Sequence, residues 1–307
     1  MKMKKFIALM AVATMVAGMA VGCGNSSDSA DADSSASGSE ASGDFDTSSD
    51  ITIVSREDGS GTRGAFIELF GIEEKDSDGN KVDNTTEDAQ ITNSTSVMLT
   101  TVAGDDYAIG YVSLGALDDS VKALKIDGAE ATAENIKSGD YKVSRPFNIA
   151  TKADLDNEVA KDFIDFIMST EGQKVVEENG YIAVDDVEDY AGTAPSGKAV
   201  VGGSSSVSPV MEKLIEAYKD VNPNAEIELQ TTDSTTGMTS TIDGSYDIGM
   251  ASRELKDDEA SELEATVIAT DGIAVVVNKN NTVDDLSVDQ VKSIYTGEAL
   301  TWDDVLN

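Results

Sequence analysis

From residue 50 to its carboxyl end the chain alternates short β-rich runs with stretches whose apolar side chains recur every three or four positions, and this alternation limits the fold more than any other feature. It predicts an α/β architecture. The candidate strands are 51–55, 121–126, 198–201, 226–230 and 272–278. Helical spacing is carried by Phe66, Leu69 and Phe70, by Phe163, Phe166 and Ile167, and by Val210, Met211, Leu214, Ile215 and Tyr218, with Pro209 well placed near the start of the last. Residues 192–197, which include Pro195, read as a linker or long loop. With 307 residues, 40% of them hydrophobic, the chain can bury a core as one large domain or as two lobes.

What is missing narrows the chemistry. The chain has no His and one Cys, so Ser-His-Asp and Cys-His catalysis, His-ligated zinc, a thiolate metal site and an internal disulfide are all excluded. Lys and Arg number 22 against 58 Asp and Glu, a net charge of −36. That balance opposes nucleic acid as a partner, because such affinity comes largely from basic side chains on phosphates.

The amino terminus accounts for the single Cys. Lys2, Lys4 and Lys5 precede an apolar run over residues 6–21, which leads into Val21, Gly22 and Cys23. The run falls short of the ~20 residues a membrane span needs. It resembles a bacterial lipoprotein signal peptide over residues 1–22, with Cys23 as the lipidated residue; Ala20 stands where Leu is commoner. That resemblance implies a protein lipid-anchored to the cell membrane on its extracytoplasmic face. Residues 23–49 are almost wholly Ser, Gly, Ala, Asp and Glu, with Phe45 the one large apolar side chain, and are expected to form a disordered tether. Loss of the signal leaves 19 basic against 58 acidic side chains, a net charge near −39.

Sliding the chain against itself by 140 residues brings 93–104 onto 233–244 with five of twelve positions identical, and a one-residue slip then brings 107–110 onto 246–249. A two-lobed body built from related halves would leave such a trace.

Three loops concentrate the polar chemistry. The first, 55–64 (SREDGSGTRG), runs from a strand into a helix; its glycines admit a close ligand, its hydroxyls and N–H groups donate, and the helix dipole favours an anion. Arg56 adds a planar donor fork suited to phosphate or carboxylate. The others are 202–209 (GGSSSVSP) and 233–237 (DSTTG). Each alone would pass for a helix cap. Together, with one Arg, they point to a convergent anion site, and none matches the Walker pattern of nucleotide triphosphatases.

The segments 55–66 (SREDGSGTRGAF), 203–214 (GSSSVSPVMEKL), 247–255 (DIGMASREL), 271–278 (DGIAVVVN) and 295–305 (YTGEALTWDDV) resemble those of the phosphate-binding lipoproteins of high-affinity phosphate ABC transporters. Their order departs from the family's, in which the Gly-Ser-Ser-Ser segment opens the mature domain and the Arg-containing loop follows the Trp-Asp-Asp-Val segment. The resemblance is therefore to a circular permutant, joined across 192–197. It implies a two-lobed periplasmic-binding-protein type II fold with the ligand cleft between lobes, one from 50–144 plus 271–307 and the other from 145–270. It also implies phosphate contacts at Arg56, Ser60, Gly61, Thr62, Ser205, Ser206 and Ser234. Ser252 joins them at a position where some members carry an Asp that accepts the ligand's proton; a hydroxyl there penalises sulfate less. The implied partners are inorganic phosphate and ABC permease subunits, for a monomer with no cofactor and no metal. The alternatives are another oxyanion such as sulfate or molybdate, a sensory or adhesive lipoprotein without transport, or a phosphatase using Glu57 and Asp58.

Overall fold

Among the described residues, backbone hydrogen bonds join nine strands into one sheet, in the order Ala225–Thr232, Gly197–Ser204, Ile248–Ala251, Ser144–Thr151, Glu264–Val277, Ala108–Ser113, Thr52–Arg56, Gln90–Thr92, with Lys122–Ala123 also on Glu264–Val277. This computed structural model describes residues 45–77 and 80–306. The signal peptide, Cys23 and the tether through residue 44 lie outside the described residues.

The sheet has two halves of one plan. In one, Gly197–Ser204 has parallel neighbours on both sides, Ala225–Thr232 and Ile248–Ala251, and the latter pairs antiparallel with Ser144–Thr151. In the other, Thr52–Arg56 lies between parallel Gln90–Thr92 and Ala108–Ser113, and the latter pairs antiparallel with Glu264–Val277. The two long strands then pair with each other in the middle.

The halves also share a register. The helix after each outer strand has nine residues, Thr95–Ala103 and Ser234–Ile242, and the two first residues are 139 apart. Tyr107 and Tyr246 keep the same spacing. The identity-based offset of 140 is thus corrected by one residue, because side-chain identities in a Ser/Thr-rich run align less reliably than helix starts. Ser234 therefore corresponds to Thr95, not Ser94.

Apolar burial follows the halves. One core is drawn from residues 51–143 and 273–305, the other from 147–269. The helix Ser208–Val221 shows how the second is built: Val210, Met211, Leu214 and Tyr218 recur on one stripe and are buried, with Pro209 in the first turn where its missing N–H costs nothing. The long strands pass between the cores at 144–146 and 270–272.

Two segments expected to be loose are seated. Phe45 packs its ring 5.2 Å from Tyr107 and 5.9 Å from Trp302, and Asp303 N–H donates to the Thr47 carbonyl at 2.7 Å. So residues 45–49 of the expected tether lie against the first core, because its one large apolar side chain finds a place to bury there. The 192–197 loop is pinned at buried Asp162, whose carboxylate accepts from Tyr190 Oη and Tyr218 Oη, each at 2.6 Å, and from Thr193 N–H at 2.7 Å. Burial works against ionisation of Asp162, but these hydrogen bonds outweigh it and hold the carboxyl below its usual range. Among the described residues no helix is long and apolar enough to cross a membrane.

Candidate functional site

Four helices point their N-termini at one place where the two halves meet: Gly61–Leu69 and Thr95–Ala103 from one, Ser208–Val221 and Ser234–Ile242 from the other. Each follows a strand of its own half, so the parallel order of the sheet brings the four starts together at the strands' carboxyl ends. An α-helix start presents unpaired N–H groups and about half a positive charge.

Arg56 ends its strand there, with a side chain that is 3% exposed. Its Nη2 donates to Ser205 Oγ across the halves at 3.0 Å and its Nη1 to Thr95 Oγ1 at 3.3 Å. Glu57 grips the same guanidinium through Nε and Nη2, both at 2.8 Å, so the one cation in the cluster carries its own counter-charge. Tyr111 fixes the loop from beneath. Its hydroxyl bonds Ser55 Oγ at 2.9 Å and accepts from Arg56 N–H at 3.0 Å, while its ring stacks on Phe66 with centroids 3.9 Å apart.

The hydroxyls form a connected net. Thr62 Oγ1 lies 2.7 Å from Ser206 Oγ, which lies 3.2 Å from Thr95 Oγ1. Ser206 N–H donates to Ser204 Oγ at 3.2 Å, and Ser204 Oγ–H donates to Ser252 Oγ at 2.9 Å. Ser252 N–H in turn donates to Ser234 Oγ at 3.1 Å. Ser60 caps the Gly61 helix by accepting from Arg63 N–H at 3.3 Å. Gly61 comes so close to the other half that a Cβ on it would lie 2.4 Å from Ser234 Oγ and 2.7 Å from Ser252 Oγ. The structure therefore brings Arg56, Ser60, Gly61, Thr62, Ser205, Ser206, Ser234 and Ser252 into one buried cluster, from segments far apart in sequence.

Two members of the cluster lie outside the residues that the sequence marks as contacts: Ser204 sits within the 202–209 loop, and Thr95 within the repeat, where registration on helix starts sets it opposite Ser234. Arg253, next to Ser252, turns aside to pair with Glu259 at 2.7 and 2.8 Å.

Such a cluster can hold a small, multiply charged oxyanion with fixed, mostly uncharged donors. Water is largely excluded, so each hydrogen bond is stronger than it would be in solution.

Known proteins resemble the chain along most of its length. The sequence profile of the PBP superfamily domain matches residues 25–171 and 189–307. The chain is similar to "Phosphate-binding protein PstS 2" of Streptococcus agalactiae, 57% identical over 99% of both chains. It is 44% identical to the protein of that name from Streptococcus pneumoniae, over 99% of this chain and 100% of the other. A crystal structure of a phosphate ABC transporter phosphate-binding protein from Streptococcus pneumoniae superposes with a TM-score of 0.66 at 45% identity, covering 84% of this chain and 100% of that one. By sequence, fold and end-to-end alignment, the chain belongs to the PBP superfamily and, within it, to the PstS family.

Proposed function

We propose that the protein captures inorganic phosphate between two lobes and delivers it to an ABC permease, as a monomer held to the extracytoplasmic face of the membrane by lipid on Cys23. The observation that carries this reading is the meeting of four helix N-termini, Arg56 and buried hydroxyls from both cores. The lobes are 50–144 with 271–307, and 145–270, and the ligand contacts are the clustered residues named above. Ligand held from both sides favours the closed arrangement, since only a difference in affinity between states can shift their balance. The permuted order of motifs is part of the proposal. The Streptococcus agalactiae relative aligns end to end, so the order is common to both chains.

A phosphatase finds less support here. Both Glu57 carboxylate oxygens are engaged by Arg56, and the Asp58 side chain is 99% exposed beside Arg63. Neither is poised as a nucleophile next to a base.

Calorimetry against phosphate, sulfate and arsenate at low and high salt tests the proposal. Phosphate is expected to bind with an affinity that changes little with ionic strength, because the donors are local and buried while the body repels anions at long range. A steep loss of affinity with added salt, or no heat with phosphate, would sink the reading. Sulfate is expected to compete measurably, since the Ser252 position offers no carboxylate to repel it.

Gly61→Ala supplies a second check. Its methyl group would force Ser234 and Ser252 away, and overpacking of this kind costs about 1–3 kcal/mol. Phosphate affinity is expected to fall about tenfold or more by calorimetry, and the melting temperature of the unliganded protein by a few degrees.

A further inference from the structure

We infer that Thr95 contacts the bound phosphate directly, through its hydroxyl and its backbone N–H, as the counterpart in its half of Ser234 in the other. This rests on the phosphate reading of the site and adds a contact outside the segments that carry the family resemblance.

Position is the first argument. Thr95 is buried, and its Oγ1 lies within 3.3 Å of Arg56 Nη1, 3.3 Å of Ser205 Oγ and 3.2 Å of Ser206 Oγ. It is thus surrounded by members of the proposed ligand shell. Its N–H points at Ser205 Oγ, at 3.4 Å. The cap of its helix, Ser94, accepts from Val97 N–H and leaves the first-turn N–H of Thr95 for another acceptor.

Symmetry is the second. Thr95 and Ser234 are each the first residue of a nine-residue helix that follows the outer strand of its half. Each of those helices has a side-chain cap one residue earlier, Ser94 or Asp233, that takes a different N–H. A tetrahedral anion offers oxygens to both halves at once, so donors placed alike in the two halves can reach different oxygens of one ligand. A hydroxyl both donates and accepts, so Thr95 can also meet a protonated oxygen of the ligand.

The alternative is that Thr95 only orients Arg56. Thr95→Val keeps the shape and removes the hydroxyl, and it is expected to weaken phosphate binding about tenfold or more by calorimetry, as loss of a hydrogen bond to a charged group does. Thr95→Ser is expected to stay near the wild-type affinity. The same Thr95→Val loss is expected in an Arg56→Lys background; no further loss there would mean that Thr95 acts through Arg56 and would overturn the inference. In the unsubstituted protein, the Thr95 amide resonance is expected to shift and its hydrogen exchange to slow when phosphate is added. Phosphate binding with no change at Thr95, or a Thr95→Val variant of normal affinity, would defeat this inference while leaving the phosphate reading intact. Absence of phosphate binding in the unsubstituted protein would instead defeat the reading on which it rests.

Discussion

Arg56→Ala is expected to weaken phosphate binding by about a hundredfold or more, the largest effect of any single change at the site. Three losses combine. The guanidinium is the one cation inside the cluster, it reaches Ser205 in the other half at 3.0 Å, and it is nearly fully buried, so no water can replace its donors cheaply. Its removal also frees the Glu57 carboxylate, now gripped through two 2.8 Å hydrogen bonds, beside an incoming anion. That like-charge term should be separable: Arg56→Ala with Glu57→Gln is expected to recover about tenfold of the lost affinity. Calorimetry on both variants measures the two parts. Near-normal affinity in Arg56→Ala would mean that the ligand sits elsewhere.

The loops around Arg56, Ser205 and Ser234 were legible in the sequence because Gly, Ser and Thr crowd between a strand and a helix, where a close-approaching backbone and spare donors are needed. Thr95 was not. Its helix follows a strand of three residues, Gln90–Thr92, mostly exposed, with no glycine or arginine to mark the junction. The only signal was the internal repeat, and sliding by identities displaced it by one position. The central strands were the other blind spot. The candidate strands do not include Ser144–Thr151, and they take in Glu264–Val277 only from 272 onward. Ser144–Thr151 buries the polar Arg145 and Asn148 among its apolar residues, and Glu264–Val277 shifts register between Val267 and Ala269 and is buried on both faces from Asp271 onward, so neither shows the apolar–polar alternation that reveals a strand. The 121–126 run, one strand by its sequence, divides in the structure: Lys122–Ala123 joins the large sheet and Lys125–Ile126 pairs with Asp285–Leu286.

Those central strands also hold the second large effect. Where they pass between the cores, Arg145 faces Asp271 in register, and its Nε and Nη2 donate to Asp271 Oδ2 at 3.3 and 3.1 Å. Ser113, which the 139-residue register pairs with Ser252 of the ligand cluster, here donates to Asp271 Oδ1 at 2.9 Å instead. Both charged side chains are buried, and Arg145 Nη1 has no hydrogen-bond partner among the described residues. Burial pushes the Asp271 carboxyl up to about 6, although Arg145 and Ser113 pull the other way. The ionised form is therefore disfavoured by folding, and the contribution of this group to stability is full below its unfolded pKa and lost as pH rises through about 6. Urea unfolding without phosphate is expected to show this group adding about 2 kcal/mol of stability between pH 7.5 and pH 4.5, a gain that Asp271→Asn removes. Arg145→Met leaves the carboxylate alone in the interior, and at pH 7.5 it is expected to cost about 3–5 kcal/mol, shrinking in acid as Asp271 takes up a proton. Arg145→Met with Asp271→Leu removes both charges and is expected to be more stable than either single variant. A double variant no better than Arg145→Met, or a stability difference from Asp271→Asn that ignores pH, would show that the pair is not the buried, strained charge at the crossing that its geometry describes.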